Sequence, residues 1–255
     1  MVLMRIFQGK TLMNATVWPI LERVGWSILG CFILFQLYVG IRLYLLASCV
    51  IPTYSMSPTL LAGDYIIASL RIPGRRELEQ KGEHGEYRVA ERKSGTRPVR
   101  NGDVVIFNFP YARDKNRMAL TFDLFYCKRC VATPGETYSW RGGGKTKRVY
   151  LPRQGESLPI DTLNLPDYKR CIEYETGQLP QVKEGTVIHA DTVMHSYRFT
   201  GNYYFMRGDN YGDSYDSRFW GILHEDFILG VGLFTWFSKD KATGKIRWER
   251  MFREL

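Results

Sequence analysis

Histidine and cysteine are scarce in this chain, four and five among 255 residues. His84, His189, His195 and His224 form no HExxH pattern, and His189 and His195 are spaced poorly for ligands on one helix face. Cys127-Lys-Arg-Cys130 has no second CxxC to complete a zinc site. No metal or other cofactor is therefore expected. No G-x-S-x-G elbow occurs, so a Ser-His-Asp hydrolase would need partners brought together by the fold alone. There is no repeat at a fixed period. Long apolar runs are also few, and the mean hydropathy is −0.25, which excludes a polytopic membrane protein. With 45% hydrophobic and 24% charged residues, the chain is not a disordered tail, a collagen-like repeat or a small disulfide scaffold.

What is present begins near the N-terminus. Val24 to Ile41 carries no charge. At about 1.5 Å per residue it covers most of a ~30 Å hydrocarbon layer. Arg42 interrupts, and a long arginine can snorkel to the head groups; Leu43 to Ile51 is apolar again. A buried core helix and a cleaved signal peptide are the alternatives. The run is too long, and too far from the start, for the second. Arg5, Lys10 and Arg23 precede the span against Glu22, which puts residues 1–23 in the cytoplasm and the rest outside, although Arg42 opposes this. The formal charge of +9 suits an anionic partner, and this topology favours lipid head groups over nucleic acid.

After Pro52 the periodicity changes. Short β-branched and aromatic runs predict strands at Asp64–Leu70, Val104–Phe109, Phe122–Thr133, Thr186–Ala190, Tyr203–Arg207 and Phe227–Trp236. The expected fold is mainly β: an anchor helix with its juxtamembrane segment over 24–50, then a β-rich extracytoplasmic body over 51–255 with a smaller inserted β subdomain. Insertions are expected at about 71–100, as a flexible loop or exposed hairpin, and at about 137–200, less regular and containing Gly142-Gly143-Gly144. The basic stretch Lys239–Leu255 has Trp248, Met251 and Phe252 at helix-compatible spacing. It either lies on a membrane surface or packs back on the body. For the cysteines, a bridge from Cys127 or Cys130 to Cys171 competes with buried free thiols, and Cys31 is expected to be inert.

Three segments are richer in chemistry than linkers require. They are Pro52-Thr-Tyr-Ser55-Met-Ser-Pro58-Thr-Leu60, Tyr126-Cys-Lys128-Arg129-Cys-Val-Ala-Thr-Pro134-Gly135-Glu136, and Gly208-Asp209-Asn210 through Ser214-Tyr-Asp216-Ser217-Arg218. Together they resemble the type I signal peptidases, membrane-anchored serine proteases that remove leader peptides. Thr53-Tyr-Ser55-Met56-Ser-Pro58-Thr59-Leu60 is similar to the family's S-x-S-M-x-P-T-L box, with Thr for the first Ser. Gly63-Asp64-Tyr65, Asn101-Gly102-Asp103-Val104-Val105-Ile106-Phe107, Lys128-Arg129 with Pro134-Gly135, and Gly208–Arg218 match further boxes in the family's order, from about 50 to 236.

The resemblance implies a Ser-Lys dyad, with Ser55 as nucleophile and Lys128 as general base. It also implies an oxyanion hole from the Ser55 N–H and the Thr53 hydroxyl, and Ser214 orienting the lysine amine. Asp216 and Arg218 would form a structural ion pair, and Asp209 and Asn210 would shape the loop. Lysine must lose its proton near neutral pH, so an apolar surround is expected, with Tyr126 and Val131 lining it. Ile51, Met56, Leu60, Tyr126 and Cys127 are expected to line small pockets for the residues at −1 and −3 of the leader. The leader would bind as an added strand. The implied partners are signal-peptide-bearing precursors and anionic lipids. The implied place is the bacterial cytoplasmic membrane, crossed once. The rivals are a specialised processing protease of a conjugation or secretion system, and a non-catalytic module that binds leaders. A cytosolic self-cleaving repressor fails on the membrane span.

Overall fold

The computed structural model describes residues 2–81 and 85–255, with side-chain surroundings for 18–41, 44–81 and 85–255. The side chains of Arg5, Lys10 and Arg42, and the whole of His84, lie outside the described residues. The chain divides into two units, at residues 1–45 and 46–255.

The first unit is one helix, Val2–Tyr44, with Pro19 inside it. Its stretch Trp18–Ile41 spans 24 residues at a hydropathy of 1.9 and buries none of them. Trp18, Leu21, Ile33, Phe35 and Leu37 are all exposed. The buried-core alternative therefore fails: this helix presents apolar side chains all round, as lipid-facing helices do.

The second unit is built on an eight-stranded antiparallel sheet. Its order is Leu46–Val50, Asp64–Ser69, Ile228–Ser238, Val104–Asn108, Phe125–Ala132, Tyr203–Arg207 and Leu223–His224, with Arg253–Glu254 also on Ile228–Ser238. Each of the four strand runs beginning at 64, 104, 203 and 227 starts within one residue of its expected place. Phe122–Thr133 starts three residues late because Phe122–Leu124 lies outside the ladder. Leu46–Val50, read above as juxtamembrane, is the edge strand of this sheet, paired in register with Tyr65–Ser69. Its apolar residues serve the body, not the span.

Three apolar clusters hold the body. One gathers Val105, Phe107, Met206, Phe227 and Ile228. A second gathers Leu151, Ile172, Phe199, Tyr203 and Phe205. The third gathers Ile51, Met56, Leu60, Ile66, Val104 and Ile106. Val104 and Ile106 face one cluster while Val105 and Phe107 face another, the alternation of a strand buried on both sides.

The insertion at 71–100 is a hairpin, Arg76–Lys81 with Glu86–Arg92. It is tied to the sheet by two arginines. Arg76 donates to Asn108 Oδ1 (2.9 Å) and Asp226 O (2.6 Å), and Arg92 donates to Glu225 O (2.6 Å) and Ile228 O (3.0 Å). The insertion at 137–200 is more regular than expected. It opens with the hairpin Thr137–Gly142/Lys145–Tyr150, whose turn residues Gly143 and Gly144 have φ of 60° and 74°. Two successive positive φ values match the twist of the strands, and glycine adopts them without strain.

A helix, Leu165–Thr176, then packs on the second cluster, and sequence reading missed it. The signals were there: apolar Leu165, Tyr168, Cys171 and Ile172 at helical spacing, Pro166 in the first turn, and Gly177 closing the helix at φ 79°. The C-terminal stretch packs back through its backbone and through Arg250, which is buried. Trp248 and Phe252 nevertheless remain exposed at 70% and 74%.

Candidate active site

The nucleophile turn begins where the first strand leaves the sheet. Ile51 donates to Asp64 O (2.8 Å), and Gly63 closes back on Ile51 O (2.9 Å). Inside this loop, Leu60 N bonds Met56 O (2.9 Å) and Ser57 N bonds Tyr54 O (2.9 Å). Met56 and Leu60 are 1% and 0% exposed in the third cluster. Burying each contributes roughly 1.5–3 kcal/mol, which fixes a turn that has few ladder bonds of its own. Ser55 sits between these anchors. Its carbonyl accepts from Asn210 N (3.1 Å), and Asn210 Nδ2 donates to Tyr54 O (3.3 Å), so the 208–218 loop holds the turn from the other side.

Gly208 is required at this contact. A Cβ there would lie 2.5 Å from Ser55 O and closer still to the Ser214 side chain.

Lys128 comes from the middle of Phe125–Ala132, opposite Val105. It is buried at 5% exposure, and its Nζ lies 2.6 Å from Ser55 Oγ, across 73 residues of sequence. The Tyr126 ring lies 5.3 Å from the same nitrogen. Among the described residues Lys128 makes no salt bridge. Burial pulls the pKa of its amine below the ordinary lysine value. Cys127 and the carboxylates Asp216, Asp209 and Asp213 act the other way and do not outweigh burial. Thr53 Oγ1 lies 3.4 Å from Ser55 Oγ.

The geometry below the dyad comes from charged pairs. Asp216 is fully buried. It accepts from Arg218 Nε (2.8 Å) and Nη2 (2.9 Å), and from Gly208 N (3.0 Å). Burial opposes its charge, but these donors hold its pKa below the usual aspartate value. Arg129 grips Asp209 with Nε (2.8 Å) and Nη2 (2.6 Å) and also reaches Gly102 O (2.6 Å), tying the loop to the lysine's own strand. Asp64 accepts from Ser238 Oγ (2.6 Å) and Arg250 Nη2 (2.6 Å), and Arg250 Nη2 also bonds Thr59 O (2.8 Å) at the end of the nucleophile turn. Ser214 is buried and its Oγ makes no well-formed hydrogen bond, to Lys128 or otherwise. It lies near enough to Asp216 to help keep that carboxylate ionised.

The profile of the family "Signal peptidase, peptidase S26" matches residues 24–237 of this chain, and so covers the nucleophile turn, the lysine strand and the 208–218 loop. The chain belongs to the signal peptidase family. It is similar to Signal peptidase I of Aquifex aeolicus (strain VF5), 26% identical, over 83% of this chain and 84% of the relative. It is likewise similar to Signal peptidase I of Pseudomonas fluorescens and of Pseudomonas aeruginosa. Each is 28% identical over 86% of this chain and 74% of the relative. This is therefore a membrane-anchored serine endopeptidase of signal-peptide-bearing precursors.

A signal peptidase needs room for an extended leader, and a cleft of about 420 Å³ opens over the dyad. Ile51, Met56, Tyr126 and Cys127 line it, together with Ser55, Thr53 and Lys128. Leu60 does not. It is wholly buried in the third cluster, packed with Ile66, Val104 and Ile106 beneath the turn. Val131 does not line the lysine's surround either. It falls at a bulge, between Cys130 paired with Met206 and Ala132 paired with Phe205, and packs on the second cluster. Leu124, Phe125, Asp213 and Tyr215 line the cleft and were not anticipated. The first two were legible as part of the strand run, but Asp213 and Tyr215 arrive from a loop whose path sequence does not fix.

No disulfide forms among Cys31, Cys49, Cys127, Cys130 and Cys171, which removes the bridge to Cys171. Burial pushes the Cys127 and Cys130 thiols up to about 12, so both are protonated and unreactive. Among the described residues no histidine lines the cleft, so the Ser-His-Asp alternative finds no base there. His224 is buried, and its Nδ1 accepts from Asp226 N (3.1 Å) as a helix cap.

Proposed function

We propose that Ser55 and Lys128 cleave the leader. Neutral Lys128 Nζ takes the proton as Ser55 Oγ attacks the scissile carbonyl carbon. The resulting oxyanion accepts from the Ser55 N–H and the Thr53 hydroxyl. The Lys128 ammonium then protonates the departing amine of the mature chain. Water hydrolyses the acyl-enzyme with Lys128 again as base, and Ser55 recovers its proton. Ser214, a buried hydroxyl beside Asp216, is the side chain assigned to steady the amine between these steps. Asp209, Asn210, Asp216 and Arg218 hold the loop and do not react. The cycle asks for no metal or cofactor.

The observation that carries this reading is the 2.6 Å approach of a buried, unpaired amine to the hydroxyl. Burial disfavours the ammonium and so makes the base available below the pH at which a free lysine titrates.

The leader would lie as an extended strand in the cleft, with small residues at −1 and −3 against Ile51, Met56, Tyr126 and Cys127. In this reading the anchor crosses the bacterial cytoplasmic membrane once. Arg5, Lys10 and Arg23 stay inside, and the catalytic body from residue 51 stands outside against anionic lipids. The test is a precursor cleavage assay in detergent with Ser55→Ala and Lys128→Ala. Each is expected to lose roughly 10⁴-fold or more in rate while staying folded. Activity retained in Lys128→Ala overturns the dyad.

A further inference from the structure

The cleft over the dyad does not end at the dyad. Tyr215, one of its walls, also lines a second cavity of about 580 Å³ with Phe109, Lys115 and Phe219. Tyr111, Arg170, Phe219 and Trp220 carry that cavity into a third, of about 440 Å³, bounded by Lys147 and Arg148 of the inserted hairpin. The three adjoin in series through shared walls, from Ser55 to the inserted hairpin, and an extended chain could follow them as a groove.

Its lining is unlike an ordinary surface. Phe219 and Tyr215 are 66% and 53% exposed and stack at 5.7 Å. Large aromatics held outward in a pair are a binding platform more than a folding device. Trp220 lines both outer cavities while 7% exposed, and its indole N–H has no acceptor, although buried indole donors are normally paired. At its outer end cations prevail. Arg170 is matched by Glu173 and Arg218 by Asp216, while Lys115, Lys147 and Arg148 face one carboxylate, Asp167; the other lining carboxylate, Asp213, stands at the dyad end.

We infer that this groove binds the mature segment of the precursor, C-terminal to the cut, and favours segments with acidic side chains. The inference rests on the dyad reading above. A leader is basic at its start and then continuously apolar. Lys147 and Arg148 repel the first part, and the second gains nothing from them. An extended, polar, acidic stretch suits both the aromatic platform and the basic rim. Roughly ten residues, about 33 Å when extended, give such a stretch the reach of several cavities. The hairpin Thr137–Tyr150 thereby acquires a role in choosing precursors.

The experiment compares two substrates on the full-length enzyme in lipid-free detergent. One is a short peptide ending two residues past the cut, and the other a precursor with an acidic mature segment. The variants are Phe219→Ala and the pair Lys147→Glu/Arg148→Glu, none of which lies in the catalytic cleft. For the precursor, KM is expected to rise about tenfold in the double variant with kcat unchanged, and wild-type KM to rise with salt. The short peptide is expected to be cut normally, which also certifies the fold. A precursor whose mature acidic residues are changed to lysine is expected to reverse the preference in the double variant. Equal effects on both substrates, no effect on either, or an effect seen only when anionic vesicles are added would each overturn the inference. Cleavage of the short peptide by Ser55→Ala would instead indict the dyad.

Discussion

Lys128 and Asp64 are both buried, at 5% and 0% exposure, on strands of the same sheet, yet the fold treats them oppositely. Asp64 is surrounded by donors: Leu61 N at 2.8 Å, Ser238 Oγ at 2.6 Å and Arg250 Nη2 at 2.6 Å. Burial alone would raise its pKa, but those donors, Arg250 foremost, bring it below the ordinary value. It stays charged, and the charge is structural. Lys128 has a hydroxyl and an aromatic ring in place of an ion partner, and burial lowers its pKa. The same removal from water yields a strut where a counter-charge is supplied and a base where it is withheld.

The sharpest break of this contrast is Lys128→Met. Cleavage should fall by roughly 10⁴-fold or more, while the thermal midpoint near neutral pH holds or rises, because a poorly solvated amine has been replaced by an apolar chain of similar volume. The folded pKa lies below the unfolded one, so the unfolded chain binds more protons between the two. Wild-type stability should therefore gain as pH climbs through the folded value toward 10.5, and the variant should lack that gain. An unfolded Lys128→Met would end the comparison.

Asp64→Ala should do the reverse. It leaves Arg250 buried without its anion and should cost about 3–5 kcal/mol in denaturant melts, with activity lost only as the fold is lost. In the wild type the Asp64 contribution is present above the ordinary aspartate pKa of 3.8 and disappears as pH falls through the lower folded value.

The smallest effect is expected for Asp213→Asn. Asp213 lines the cleft and holds the Lys128 proton more tightly. Without its charge, the rising limb of the rate–pH profile should move to lower pH with its plateau unchanged. A shift to higher pH would show that Asp213 does not act on the lysine by charge.

Much of this was legible in the chain. Val104–Phe107 and Tyr203–Arg207 announce strands because their period and their β-branched and aromatic content are local properties. Ser55, Lys128 and the 208–218 loop were legible as motifs, although 73 residues separate the first two. Less was readable where a residue's neighbours are remote. Leu60 sits in the right motif but is buried in the core, and Val131 falls at a bulge that turns it to the second cluster. Nothing in the sequence around Arg129 and Arg250 points to their partners, Asp209 and Asp64, which the fold brings from far along the chain. The helix Leu165–Thr176 was a failure of reading, since its spacing and its closing glycine were visible.

The sequence by itself determined the apolar helix, the strands and the family, because hydrophobic run length, two-residue alternation and short motifs are written in neighbouring positions. Only the tertiary structure decided which cation would be denied an anion, where the cleft runs, and which cysteines stay apart. Burial and electrostatic pairing depend on what distant segments bring to a point in space, and strand pairing is what delivers Lys128 to Ser55.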